Sequence, residues 1–184
     1  MKITTKSGDE GWTAIRCNRP VRKDDPRLEA MGAIDELNSF IGLAKCAMRS
    51  KATRDTLEMC QKGLELVCAE VSTLPEDVDR LNELIESKDV ERIERSMKKY
   101  EDVLDGEEGC FVLPGSCRAS ALLDVCRSVC RRAERLTAGL YFNGAVVNQR
   151  IIEYLNRMSD LFYLMARSTE KKRAGRDKKK TDQN

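Results

Sequence analysis

Residues 28–48, LEAMGAIDELNSFIGLAKCAM, carry an apolar side chain at every third or fourth position. These side chains belong to Leu28, Met31, Ile34, Leu37, Ile41, Ala44 and Met48. Such steps place them on one stripe of an α-helix, because the helix repeats every 3.6 residues. The stretch therefore predicts an amphipathic helix that begins after Pro26 and packs one face against other elements.

Four further stretches show the same spacing. Their apolar residues are Leu57, Cys60, Leu64, Val67 and Val71; Val90, Ile93, Met97, Tyr100 and Leu104; Leu122, Val125, Val129, Ala133, Leu136 and Leu140; and Ile151, Leu155, Met158, Phe162 and Met165. Pro75, Gly106 and Gly144 follow the second, third and fourth stretches and end the predicted helices. Since short connections make neighbouring helices antiparallel, the sequence predicts an all-α fold, an up-and-down, ferritin-like bundle of about five helices. A short additional helix is predicted over residues 78–86.

The residue pattern divides the chain into three parts. Residues 1–25 lack helical periodicity and predict an extended or looped arm. Residues 26–170 carry the bundle. The basic run in residues 171–184 predicts a solvated, disordered tail, although recruitment to RNA or an acidic membrane surface stays an alternative. Because residues 171–180 hold 7 of the 33 Lys and Arg residues and one of the 31 Asp and Glu residues, the rest has a formal charge of −4. We therefore expect no nucleic-acid interface on the bundle.

Composition fixes the broad class of the protein. The 184 residues are 41% hydrophobic and 35% charged, which is typical of one folded, helix-rich domain. No apolar run is long enough to span a membrane, and the first residues resemble neither a signal nor a transit segment. We therefore expect a cytoplasmic protein without a membrane span.

The absence of histidine narrows the chemistry of this chain. Ser-His-Asp and Cys-His catalysis, and haem or zinc sites that need a histidine, are excluded. The eight cysteines form no CxxC pair, so they predict reduced thiols that are mostly buried rather than a metal site.

Polar residues form a second line beside three of the apolar stripes. They are Asp35, Asn38 and Gly42; Arg127, Arg131 and Glu134; and Asn156 and Asp160. They are explained equally well as boundary residues that form salt bridges between helices, with Asp35 and Arg127 as the candidate pair. The four arginines in residues 127–135, RSVCRRAER, favour a second interpretation, because several guanidinium groups together suit a polyphosphate.

Two loops add weaker signals. Residues 5–13, TKSGDEGWT, combine glycines, hydroxyls and a lysine that suit phosphate binding, although a simple hairpin has the same composition. Lys23 is a further candidate phosphate contact. Residues 110–116, CFVLPGS, predict either a packed loop that leads to a Ser116 helix cap or a hydrophobic ligand site lined by Phe111.

Five of these segments together resemble the PduO-type ATP:cob(I)alamin adenosyltransferases. The matching segments are TKSGDEG from Thr5, AIDELNS from Ala33, FVLPG from Phe111, CRSVCRRAER from Cys126 and YLNRMSD from Tyr154. They occur in the family's order and at its approximate spacing, from residue 4 to about residue 170. The resemblance implies a homotrimer of helical bundles that binds ATP and a corrinoid between neighbouring subunits.

The resemblance also implies roles for single residues. The implied ATP-binding residues are Thr5, Lys6, Ser7, Gly8, Thr13, Lys23, Arg131, Arg132, Glu134, Arg135 and Asn156. Asp35 and Arg127 would form an ion pair between subunits close to the corrinoid. Phe111 would fill the space below cobalt from which the lower ligand is displaced. Together with Arg131, these three are the candidate catalytic residues.

The implied reaction transfers the 5′-deoxyadenosyl group of ATP to cobalt and releases triphosphate. Reduced cobalt is itself a nucleophile, so the protein needs no general base and supplies alignment and charge stabilisation instead. Mg²⁺ is expected to bridge phosphate oxygens. A reductase and a cobalamin-dependent acceptor enzyme are expected partners. The alternative function is a non-enzymatic nucleotide or corrinoid sensor or carrier.

Overall fold

The computed structural model describes residues 4, 6, 8–104 and 112–181, with side chains as far as residue 175. Over these residues it contains five α-helices: α1 (Pro26–Ala47), α2 (Lys51–Val71), α3 (Ser87–Leu104), α4 (Arg118–Phe142) and α5 (Arg150–Thr181). Two short strands, β1 (Trp12–Ile15) and β2 (Arg19–Arg22), pair antiparallel before α1. The predicted helical bundle is confirmed. No helix in the described ranges is long and apolar enough to cross a membrane.

Local chemistry determines where α1, α2 and α4 begin. Asp25 precedes α1, and its carboxylate accepts a hydrogen bond of 2.8 Å from the Arg27 amide, while Pro26 occupies the first turn. Ser50 caps α2 in the same way. At the start of α4, Cys117 and Ser120 cap each other reciprocally. The cap of α4 therefore lies one residue beyond Ser116, the residue that the sequence suggests.

The helices alternate in direction. α1 packs against α2 and α4, and α5 packs against α4 and α3. Arg27 near the start of α1 donates a hydrogen bond of 2.6 Å to the Ala145 carbonyl just after α4, and Glu36 farther along α1 pairs with Arg132 of α4. These contacts show that α1 and α4 run antiparallel, as the short connections predict.

The core contains one apolar cluster, but α4 contributes a different stripe from the one expected. The sequence predicts that Leu122, Val125, Val129 and Leu136 point inward. The structure buries Leu123, Cys126, Cys130 and Thr137 instead, and only Ala133 and Leu140 belong to both stripes. Because α4 packs between α1 and α5, the side of α4 that faces the core is shifted by one residue from the side that the sequence predicts. Small cysteine side chains fill that side.

Two expectations about secondary structure are wrong. Residues 78–86 do not form an α-helix: a 3-10 helix covers Pro75–Arg80, and residues 81–86 are not helical. The Ile85 amide donates to the Glu70 carboxylate at 2.6 Å, and the Asn148 side chain donates to the Ile85 carbonyl at 2.9 Å. These bonds hold the Ile85 backbone groups away from a helical partner.

The basic tail also differs from its expectation. α5 continues to Thr181, so residues 171–181 are helical where the sequence predicts disorder. Lysine, arginine, glutamate and alanine favour helices, and the tail prolongs a helix that packing has already started. The division into arm, bundle and tail otherwise stays a prediction.

Candidate functional site

The arm brings several of the predicted phosphate contacts together. The amide of Gly11 donates to the Gly8 carbonyl at 3.3 Å, and the amide of Lys23 donates to the Gly11 carbonyl at 2.9 Å. A Cβ atom on Gly8 would lie 2.9 Å from Nζ of Lys23, so glycine leaves room for this amine. Lys6 has a positive φ of 64° and is exposed at the same turn. The arm therefore places two lysine side chains beside one glycine turn.

The other predicted arm residues lie outside this turn or outside the described residues. Thr13 is half-buried on β1, opposite Val21 of β2. Thr5 and Ser7 lie outside the described residues.

A second group of predicted residues lies on α4. Arg131 and Arg135 are exposed, four residues apart, and therefore share one side of the helix. Arg132 is half-buried, and its guanidinium pairs with the Glu36 carboxylate of α1. Glu134, also half-buried, accepts a hydrogen bond of 3.1 Å from the Asn156 side chain of α5. The predicted cluster of cations and polar groups on adjacent helices is therefore present in the fold.

Asn156 is fixed from both ends of its amide. Its Oδ1 atom accepts a hydrogen bond of 2.9 Å from Arg157, whose Nε donates to the Glu94 carboxylate on α3, also at 2.9 Å. This network orients the Asn156 amide toward Glu134. Sequence reasoning missed Glu36, Glu94 and Arg157, because their partners are on other helices. Glu36, inside the AIDELNS segment, and Arg157, inside the YLNRMSD segment, each have a signal in the sequence, whereas Glu94 has none.

Arg127 has an aromatic neighbour that the sequence did not suggest. Its guanidinium carbon lies 5.6 Å from the ring centre of Tyr163, and Arg167 lies 5.4 Å from the same ring. Arg167 is buried and binds the Asp124 carboxylate at 2.6 Å. Burial raises the pKa of Asp124, and the Arg167 charge opposes that shift. The face of α5 thus holds Arg127 through a cation–π contact.

Asp35 is exposed on α1. In the described part of this chain, no ion pair joins it to Arg127. The expected pairing of these residues between subunits is a separate question and stays a prediction.

The arm and the α4 cluster occupy different parts of one chain. The hairpin lies at the end of the bundle where α1 begins and α4 ends, since the Arg16 amide donates to the Ser72 carbonyl just after α2. Residues 131–135 lie about 10–17 Å farther along α4 from Phe142, at 1.5 Å per residue. Within the described residues, no hydrogen bond or ion pair joins the arm to this cluster.

Phe111 lies outside the described residues, so its expected role stays a prediction. The loop that follows is exposed at Val112 and Leu113, and Gly115 has a φ of 107°. A cleft of about 500 Å³ separates this loop from the second half of α5. It is lined by Val112, Ser116, Arg167, Glu170, Lys171, Arg173 and Ala174.

Solved structures with this fold define the class of the protein. A variant of the PduO-type ATP:corrinoid adenosyltransferase from Lactobacillus reuteri, complexed with cobalamin and ATP, superposes with a TM-score of 0.83 at 32% identity. The match covers 92% of this chain and 93% of that chain. A further variant of the same enzyme, complexed with ATP, has a TM-score of 0.82 at 31% identity and covers 92% of this chain and 94% of that chain. The fold of this chain is therefore that of the PduO-type adenosyltransferases.

Sequence comparisons identify the family. The model of the cobalamin adenosyltransferase family matches residues 3–169. A corrinoid adenosyltransferase of Bacillus subtilis is 35% identical over 177 residues, which cover 91% of this chain and 86% of the relative. The corrinoid adenosyltransferase PduO of Salmonella typhimurium is 34% identical over 92% of this chain, and the match spans half of that relative's length. The chain belongs to the cobalamin adenosyltransferase family.

Proposed function

We propose that this chain transfers the 5′-deoxyadenosyl group of ATP to the cobalt of a reduced corrinoid and releases triphosphate. The observation that carries the proposal is the cluster of Arg131, Arg132 and Arg135 beside the Glu134–Asn156 hydrogen bond. Guanidinium groups form strong, charge-assisted bonds to phosphate oxygens. The cluster therefore suits a triphosphate, whose negative charge increases as it leaves.

The two phosphate-binding surfaces support a homotrimer with sites between subunits. Lys6, Gly8 and Lys23 lie at one end of the bundle, whereas Arg131 and Arg135 lie along its side. In a trimer, the arm of one subunit would complete the α4 cluster of its neighbour. Thr5, Ser7 and Thr13 would contribute hydroxyl groups to the same phosphates.

The protein positions the reactants and needs no proton transfer for the bond-forming step. The nucleophilic cobalt attacks the 5′ carbon of ATP, the carbon–cobalt bond forms, and the carbon–oxygen bond to the triphosphate breaks with its electron pair on oxygen. Arg131 and Arg132 stabilise the charge on that oxygen and its neighbours. Asn156, oriented by Glu134 and Arg157, holds the nucleoside part of ATP in line with cobalt.

Mg²⁺ accompanies ATP in this proposal. Mg²⁺ binds through one or two carboxylates plus substrate phosphates rather than through an all-protein cage. Glu134 fits this requirement, because its contact with Asn156 engages only Oε1. Mg²⁺ supplies positive charge to the phosphate oxygens, and Glu134 is the residue that would hold it.

The corrinoid side of the site rests on three other residues. Arg127, held against Tyr163, pairs with Asp35 of a neighbouring subunit and closes the wall of the corrinoid pocket. Phe111 occupies the space below cobalt, where a bulky apolar side chain excludes water and cannot coordinate. Its role is to make the reduction of cobalt easier rather than to form bonds.

The wider role of the chain follows from its chemistry. A reductase must supply the reduced corrinoid, and a cobalamin-dependent enzyme must accept the product. We propose that the protein acts in the cytoplasm. The competing function is a sensor or carrier that binds ATP or the corrinoid without turnover.

An anaerobic assay with ATP, chemically reduced cobalamin and Mg²⁺ tests the proposal. The absorbance change of the corrinoid and the release of triphosphate are followed together, and equal amounts of adenosylcobalamin and triphosphate are expected. Saturable ATP binding without either product would support the carrier. The sedimentation of the protein with and without ATP measures whether it forms a trimer.

A further inference from the structure

The hairpin contacts the bundle through few polar bonds. On the bundle side, Asp77 belongs to the 3-10 helix Pro75–Arg80, and its side chain is only 2% exposed. Its Oδ2 atom accepts a hydrogen bond of 2.8 Å from Nε of Arg19 on β2. Over residues 8–104 and 112–175, this is the one ion pair between the arm and the bundle. The other anchor is the backbone bond from Arg16 to Ser72, at 3.0 Å.

Because the Asp77 carboxylate is buried, its charge needs a hydrogen-bonded cation as a partner. A buried carboxylate that loses a hydrogen-bonded cation is destabilised far more than an exposed one. Arg80 also contacts Asp77, at 3.2 Å, but it belongs to the same 3-10 helix and does not reach the arm. Arg19 alone therefore links this carboxylate to β2.

The anchored strand leads directly to the phosphate-binding turn. Lys23 follows Arg19 by four residues, about 13 Å along an extended chain. The Lys23 amide then closes the Gly8–Gly11 turn by its bond to Gly11. A one-residue slip of a strand turns every side chain to the other face. The position of Arg19 on Asp77 thus sets where Thr13 and Lys23 point.

We propose that Asp77 and Arg19 are positioning residues that fix the nucleotide-binding arm without touching ATP. The catalytic part of this inference rests on the proposed function, whereas the placement of the arm is measurable without it. Trp12 on β1 is the single tryptophan of the chain and is 51% exposed, so its fluorescence reports on the arm alone.

The test compares Asp77→Asn with Asp79→Asn. Asp79 lies in the same 3-10 helix and is exposed, which makes it a matched control. We expect Asp77→Asn to lower the fluorescence anisotropy of Trp12 and to raise the KM for ATP about tenfold, as the loss of one bond to a charged group predicts. The KM for the corrinoid and kcat at saturating ATP should stay near the wild-type values, and Asp79→Asn should change none of these quantities.

Substitutions of the exposed partner keep the test decisive if Asp77→Asn fails to fold. Arg19→Ala should reproduce the ATP effect, and Arg19→Lys should recover part of it. An unchanged Trp12 anisotropy and ATP KM in Arg19→Ala would overturn the inference. A chain without turnover would contradict the proposed function instead, and titration of Trp12 fluorescence with ATP would then still show whether Arg19→Ala weakens nucleotide binding.

Discussion

The α4–α5 face and the N-terminal arm differ in how they hold their candidate ligand groups. On α4 and α5, the functional residues sit on helices that the apolar core already orients, and Arg132, Glu134 and Asn156 each have a polar partner on a neighbouring helix. Within the residues that the structure describes, the arm has two strands of four residues, one ion pair to the bundle and positive φ angles at Cys17 and Asn18. A packed helix therefore keeps its site when one contact is removed, whereas the polar attachment of the arm depends on single contacts.

The largest expected effect follows from breaking the buried ion pair between Arg167 of α5 and Asp124 of α4. Arg167→Met leaves the Asp124 carboxylate buried without its cation, because the two side chains are only 7% and 13% exposed. We expect the free energy of unfolding to fall by about 3–5 kcal/mol. Urea denaturation monitored by circular dichroism measures this loss.

The double variant Asp124→Asn/Arg167→Met separates the ion pair from packing. If the unpaired charge causes the loss, the double variant should be more stable than Arg167→Met alone. Equal stability of the two variants would instead attribute the loss to the other contacts of Arg167, which are its ion pair with Glu170 at 3.4 Å and the contact of its guanidinium with the Tyr163 ring.

The next effect concerns activity rather than stability. Arg131 is exposed, so Arg131→Ala should leave the free energy of unfolding within about 0.5 kcal/mol of the wild-type value. The loss of the Arg131 guanidinium should raise the KM for ATP about 10–100-fold, because charge-assisted bonds to phosphate contribute about 1.5–3 kcal/mol. Steady-state kinetics at fixed corrinoid concentration measure the change. Arg95→Ala, an exposed arginine of α3, serves as the control, and equal ATP kinetics in both variants would remove Arg131 from the site.

The sequence was informative where one helix carries the signal. Spacing predicts the polar line of Arg127, Arg131 and Glu134 on α4, because residues three or four apart share a face, and it predicts Asn156 on α5 separately. It does not predict the hydrogen bond that joins Glu134 to Asn156. Tyr163 beneath Arg127 and Glu36 beside Arg132 were missed, since the register between helices depends on packing. The stripe on α4 was misplaced by one residue for the same reason.

The arm was the less predictable region. Its glycines and prolines indicate irregular backbone but not which bundle residue anchors it, and Asp77 is 58 residues from Arg19. A carboxylate in a short acidic run such as PEDVD gives no sign of burial. Only the fold shows that Asp77 is enclosed while Asp79 is exposed.

A smaller effect is expected in the turn of the hairpin. Cys17 has a φ of 59°, a left-handed conformation that costs a residue with a side chain about 1 kcal/mol relative to glycine. Cys17→Gly should therefore favour the docked hairpin and slow proteolysis within the arm, with little change in the urea midpoint of the bundle. Cys17→Ala serves as the control. Cys46→Gly is unsuitable for this purpose, because Cys46 lies within α1. Faster cleavage of Cys17→Gly than of Cys17→Ala would show that backbone flexibility outweighs the relieved strain.

The smallest effect is the dependence of arm docking on pH. The hydrogen bond from Arg19 lowers the pKa of Asp77 in the folded protein below its ordinary value of 3.8. A carboxyl group with a lowered folded pKa stabilises the docked arm fully above that ordinary value, and its contribution is lost as the pH falls through the lowered pKa. The anisotropy of Trp12 should thus stay constant from pH 7 to about pH 5 and decrease only in more acidic solution.

Asp77→Asn has no such group, so its anisotropy should already be low at pH 7 and change less on acidification. A decrease of the wild-type anisotropy near pH 6 would show that a group other than Asp77 controls the docking of the arm. The Arg19–Asp77 ion pair, the one that joins the hairpin to the bundle in the described residues, would then not be the contact that limits docking.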